Sequence, residues 1–210
     1  MIELARDHRW LYNDAKNWLV ASPYAGEIGW TTSRDRSSIT ESQLLGETAW
    51  VIFCSGFREA TVRQKFGLIS FAFFDWYSAA AIVADSKNCI RIARPHFGNE
   101  KKLEAVVNTA EIIAAAGFES LKRRLLEEPL VVLQEFPFIG PVTALHLAKN
   151  LGFQFAKPDR HLQRLADVLG FEDYMDMCEG FSSITGDPVA LVDTVLWRYC
   201  EQHANWVGIA

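Results

Sequence analysis

Between Glu135 and Asp167 the chain holds one acid, Asp159, nineteen residues after Gly140 of the apolar turn Phe136-Pro137-Phe138-Ile139-Gly140. That turn joins two helical runs and presents backbone N–H groups where a helix begins, which suits a phosphate. An ordinary antiparallel helix pair joined by a short turn would look the same at this level. Asp159 follows Pro158, which disfavours helix at Lys157. The carboxylate therefore falls where it caps the next helix, and capping alone would explain an aspartate there. A phosphate grip with a solitary carboxylate at the mouth of a cleft points further, to chemistry on a nucleic acid that needs one acid and no metal.

The elements that must position these groups are helical nearly throughout, so the expected fold class is all-α. Ile2 to Val20 reads as a first helix, with Leu4, Trp10, Leu11, Trp18 and Leu19 as its apolar positions. Ser22 to Ser38, rich in Gly, Ser and Pro, reads as a loop with room to move. Thr40 and Gln43 fit a capping box that opens a helix running through Trp50 to Cys54. Ser55-Gly56 breaks the pattern before a helix carrying Val62 and Phe66. Lys101 to Ala116 is amphipathic, with Leu103, Val106, Val107, Ala110, Ile113 and Ala114 at helical spacing, and Gly117 closes it. Ser120 to Leu126 and Pro129 to Gln134 lead up to the turn. Pro141 stands in a first helical turn, where it loses no hydrogen bond, and Gly152 suits the C-terminal cap. Asp187-Pro188 starts the last long helix, through Val192, Val195, Leu196 and Tyr199.

With 210 residues and half of them apolar, the chain can bury a full core. The most apolar run, Phe66 to Ala84, is interrupted at its middle by Asp75, so it reads as a buried core helix and not as a membrane span. The N-terminal stretch carries charges where the apolar core of a secretory signal would lie, so a cytoplasmic protein is expected. Cys54, Cys89, Cys178 and Cys200 lie far apart, with no ligand spacing for zinc or an iron–sulfur cluster; buried reduced thiols are expected, with no cofactor. The net charge of −5 is unevenly spread. Residues 87–164, which hold the turn, carry 12 basic and 8 acidic side chains, whereas residues 165–210 carry 1 and 8.

The whole string from Leu133 to Ala166 resembles the helix-hairpin-helix DNA glycosylase superfamily. Endonuclease III-like members have a hairpin of the form LPGVGxxTA; this chain has Phe136-Pro137-Phe138-Ile139-Gly140-Pro141-Val142-Thr143-Ala144. Their D-x-H-x-x-R-like helix start is matched by Asp159-Arg160-His161-Leu162-Gln163-Arg164. The likeness extends to FGNEKKLEAVVNTAEII, VIFCSGFREATV and LVDTVLW, and so covers about Thr40 to Gln202. It implies two helical lobes with a cleft between them. The implied segments are 1–39, a helix and loop packing on the second lobe; 40–130, a lobe with a duplex-entering loop; and 131–210, with the hairpin, the Asp159 loop and the closing helices.

The resemblance also implies an activity, excision of a damaged or modified base from double-stranded DNA after base flipping, by a monomer that is nucleoid-associated if bacterial. Asp159 is then the catalytic carboxylate. Phe138, Gly140, Pro141, Val142 and Thr143 contact the phosphate backbone, and the hairpin carbonyls admit a monovalent cation; no metal is held by side chains. Superfamily members that also cut the strand carry a lysine where this chain has Val142, so strand cleavage is not expected. The remaining routes are a lyase using a displaced lysine, with Lys149 the nearby amine, or a non-catalytic DNA-binding protein that kept the hairpin. Phe138 replaces the hairpin's first glycine, which strains the turn if φ there is positive. Phe57 or Arg58 stands where relatives fill the hole left by the flipped base, although a Phe at a helix end also serves a core. Trp76, Tyr77 and Trp197 would line an aromatic base pocket, or be core. Asp193 would line the same pocket, or be a charge favoured near a helix N-terminus. Lys101, Lys102, Arg123 and Arg124 are candidate phosphate contacts, while His161 is expected to face away from Asp159.

Overall fold

Fourteen α-helices and no strands make up residues 1–203, the part that the computed structural model describes. In chain order they are α1 (Ile2–Asp7), α2 (Arg9–Ala21), α3 (Gly26–Thr32), α4 (Glu41–Cys54), α5 (Glu59–Ala72), α6 (Ala79–Ala84), α7 (Ser86–Ala93), α8 (Glu100–Ala116), α9 (Phe118–Glu127), α10 (Pro129–Leu133), α11 (Pro141–Asn150), α12 (Arg160–Leu169), α13 (Tyr174–Thr185) and α14 (Val189–Gln202). The chain divides into two units, one of Met1–Asp35 with residues 152–203 and one of Arg36–Leu151. The hairpin therefore belongs to the second unit and Asp159 to the first.

In the first unit α14 is the central element, with α2, α3, α12 and α13 packed on it. Its buried Val192, Val195 and Leu196 meet Leu11, Leu19, Leu162, Leu165 and Phe181 in one apolar core. The expected first helix is broken at His8, whose Nδ1 bonds to the carbonyl of Leu4 at 2.8 Å. The break lets α1 dock on α13 while α2 docks on α14. Gly180 permits the first of these approaches, because a Cβ there would lie 3.1 Å from Met1 Cγ and 3.2 Å from Phe171 Cε1. Trp10, expected among the apolar positions, is exposed. The segment Ser22 to Ser38, expected as a loop, contains α3, pinned to α14 by the Arg198 guanidinium paired with Glu27. Tyr12 is buried, stacked on Phe181, and donates its hydroxyl to Asp187 Oδ2 at 2.7 Å.

In the second unit α8 is central and carries α4, α6, α7 and α9. Thr40 caps α4 by accepting from Gln43 N, and Gln43 Oε1 accepts from Thr40 N at 2.9 Å, a reciprocal pairing of two first-turn donors. The expectation of one core helix from Phe66 to Ala84 is corrected. The helix α5 stops at Ala72, and Phe74, Asp75 and Trp76 take φ of 55°, 48° and 65°. The cause is Trp76, which folds back on the end of α5. Its indole N–H donates to Ser70 Oγ at 2.9 Å, and its ring stacks on Phe66 and Phe73. A Cβ on Gly46 would lie 3.0 Å from Cδ1 of that ring, so glycine lets α4 close over the indole without displacing it. Three consecutive left-handed residues cost about 1–2 kcal/mol each. A new start at α6 follows, capped by Ser78 and held by Glu41 Oε1, which accepts from Ala79 N at 2.6 Å. Among the described residues no helix is long and apolar enough to cross a membrane.

Candidate functional site

The hairpin runs from α10 to α11, which pack against one another. Ile139 N donates to Phe136 O at 3.2 Å and closes the turn. Phe138 at its tip has φ +63°, the left-handed conformation that a bulky residue adopts at a cost of order 1–3 kcal/mol. At the start of α11 the Thr143 hydroxyl accepts from Gly140 N at 2.8 Å and lies 3.1 Å from Gly140 O and 3.4 Å from Phe138 O. One side chain thus ties the turn to the helix it precedes. Pro141 stands at the first helical position, and Val142 beside it is exposed. The amides of Val142 and Thr143 occupy the first turn, where a helix offers no carbonyl of its own.

A second group belongs to the same unit. Lys102, from the first turn of α8, is only 4% exposed. Its ammonium donates to the carbonyls of Ile52 and Ser55 at the end of α4, satisfying acceptors a helix C-terminus leaves over. Burial pushes the ammonium below its ordinary pKa, with a smaller opposing effect from Cys54. The Phe57 ring centroid is 5.0 Å from Nζ and the Phe138 ring centroid 5.7 Å. Phe57 is 44% exposed and Phe138 48%. Gly56, at φ +75°, turns the chain so that Phe57 backs onto Phe97 at 5.2 Å, and Arg58 beside it is exposed. The expectation that Lys102 contacts phosphate is thereby corrected. It is an internal strut under the two phenylalanines. Helical spacing carried the signal, because Lys102 precedes Val106 and Ala110 on the buried stripe of α8.

In the first unit Asp159 is the N-cap of α12, and its Oδ1 accepts from His161 N at 2.7 Å. The loop ahead of it is tied to α14. Lys157 N donates to Oδ1 of Asp193, which is 1% exposed, and Ala190 N donates to Gln154 Oε1 at 3.4 Å. Asp193 sits one turn into α14, holding the segment that carries Asp159; the local sequence suggests a pocket wall or a dipole charge and carries no sign of this bond, which spans 36 residues of chain. Asp159 also acts on Cys200 of α14. Burial first, and the Asp159 charge second, push that thiol up to about 12.

The four candidate pocket residues are divided between the units. Trp76 and Tyr77 are in the second, Asp193 and Trp197 in the first. Trp76 is core, with its indole N–H satisfied, whereas Tyr77 is 81% exposed. Trp197 is half-buried, with the Arg198 guanidinium 4.4 Å from its ring centroid and Lys157 Nζ at 6.0 Å. Arg124 pairs with Glu135, while Lys101 and Arg123 are exposed. Among the described residues no group of three or more His, Cys, Asp or Glu side chains is placed to hold a metal ion. Comparison with family models, with curated proteins and with solved structures found no match.

Proposed function

We propose that the protein is a monofunctional DNA glycosylase of the helix-hairpin-helix kind, two lobes about a cleft, that flips a damaged or modified base from double-stranded DNA and leaves an abasic site. The observation that carries this reading is the left-handed Phe138. A residue that pays backbone strain keeps the turn a glycine would make freely, immediately before a helix whose first-turn amides suit a phosphate.

The chemistry then follows from one carboxylate. Breaking an N-glycosidic bond develops positive charge on the sugar, and Asp159 stabilises that cation or orients the attacking water. The cap to His161 N occupies Oδ1, and a carboxylate has further acceptor sites for such work. Val142 cannot form a Schiff base, so the strand is left intact. Duplexes that each carry one modified base, treated with hot alkali after incubation, test the proposal. Cleavage with wild type and none with Asp159→Asn is expected. A duplex cut equally by both rejects the role of Asp159, and a wild type that leaves every duplex intact counts against the enzyme and for a DNA-binding protein.

A further inference from the structure

We propose that Phe138 is a stacking residue that works together with Phe57, both mounted on the buried ammonium of Lys102, and that the pair takes the unstacked bases at an abasic or unpaired position in duplex DNA. The inference rests on the glycosylase reading and deepens it. At Phe138 the backbone cost and the packing do not match. Phe138 holds φ +63°, yet nearly half of its side chain is exposed, so the strain is not offset by burial in a core. What the ring does meet is Lys102 Nζ at 5.7 Å, the same atom that lies 5.0 Å from the Phe57 ring. A cation over an aromatic face is attractive, more so when desolvated. Lys102 is itself held by the carbonyls of Ile52 and Ser55. Two half-exposed rings from turns 81 residues apart in sequence are therefore fixed on one support.

Cations and helix amides neighbour the two rings along the chain. Exposed Arg58 follows Phe57, exposed Lys101 precedes Lys102, and the first-turn amides of α11 follow Phe138 within five residues. Aromatic faces beside cations and amides match bases beside their phosphates. Stacking on an aromatic residue strengthens binding about 5- to 150-fold per base. Lys102 is the positioning residue of the pair.

The test measures binding of the full chain to two duplexes, one with a tetrahydrofuran abasic analogue and one fully paired, by fluorescence anisotropy. Wild type is expected to prefer the abasic duplex. Phe138→Gly should lower that preference about 5- to 100-fold while stability to urea is equal or higher, since glycine accepts a positive φ freely. Lys102→Met, which frees both rings, should lower the preference at least as much, and adding it to the double variant Phe57→Ala, Phe138→Gly should lower it little further, an outcome that separates positioning from general damage. A Phe138→Gly protein with undiminished preference, or a wild type with none, overturns the inference. The two readings part on excision. A wild type that prefers the abasic duplex but excises no base rejects the enzyme and keeps the stacking pair; excision with an unaltered Phe138→Gly preference does the reverse.

Discussion

Replacing Asp159 by asparagine separates the cap that its carboxylate forms from the catalytic role proposed for it. As the N-cap of α12 it accepts from His161 N at 2.7 Å. Asparagine caps as well as aspartate, and the amide oxygen accepts the same bond. Only the charge near the helix N-terminus is lost, worth about 0.3–1 kcal/mol. In a chain of this length that lowers Tm by about 1–4 °C. Alanine removes the cap as well and costs about 1 kcal/mol more. The catalytic loss expected from the proposed role is of another size. A positioned acid or base contributes about 10²- to 10⁴-fold to the rate, or about 3–5 kcal/mol of barrier. Single-turnover excision followed by hot alkali, with thermal melts on the same samples, reads both quantities. Asp159→Asn should therefore be nearly as stable as wild type and almost inactive, with Asp159→Ala equally inactive and less stable. An Asp159→Asn protein that excises at the wild-type rate, or loses activity only as far as its folded fraction falls, refutes the reasoning.

Three further outcomes follow from the site and its core. Wild type treated with borohydride during the reaction should give no covalent adduct with DNA, and Val142→Lys, at an exposed position, should give one; an adduct with wild type would show a displaced lysine such as Lys149 at work. Tyr12→Phe removes a buried hydroxyl that donates to the Asp187 carboxylate, which Lys16 also pairs, and should lower stability in urea melts by about 1.5–3 kcal/mol. Adding Asp187→Ala should cost less than the two singles together, and strict additivity would contradict the bond. For Cys200 the sign runs against alkali. Its folded thiol is raised from 9.0 to about 12, so above pH 9 the unfolded chain loses a proton that the folded chain keeps, and stability falls as pH rises towards 12. The slope is at most about 1.4 kcal/mol per pH unit, and Cys200→Ala should remove it. Cys89, raised to about 11 chiefly by burial, remains in both proteins, so equal slopes in the two would reject the assignment to Cys200.

What could be read in advance divides along the range of the interactions concerned. The Thr40–Gln43 box, Pro141 at the head of α11 and Gly117 at the end of α8 are contacts within four residues, and the residue type alone carries them. The run from Phe66 to Ala84 misled for the opposite reason. Its apolar composition is satisfied by a helix in isolation, but Trp76 gains a hydrogen bond and two ring contacts by folding back, and that outweighs three left-handed residues only once α4 is there to cover the ring. The support of the candidate site is non-local throughout. Asp193 reaches Lys157 across 36 residues, and Lys102 reaches Ile52 across 50. Phe138 shows most clearly how the two kinds of information differ. Its place in the hairpin was evident from the neighbouring Pro137, Gly140 and Pro141, and the strain of a positive φ could be anticipated from its bulk. That its ring shares a buried ammonium with Phe57 depends on α8 passing beneath both turns, which no local pattern encodes. For a residue that departs from a motif, it is therefore the contacts, and not the mismatch alone, that say what to test.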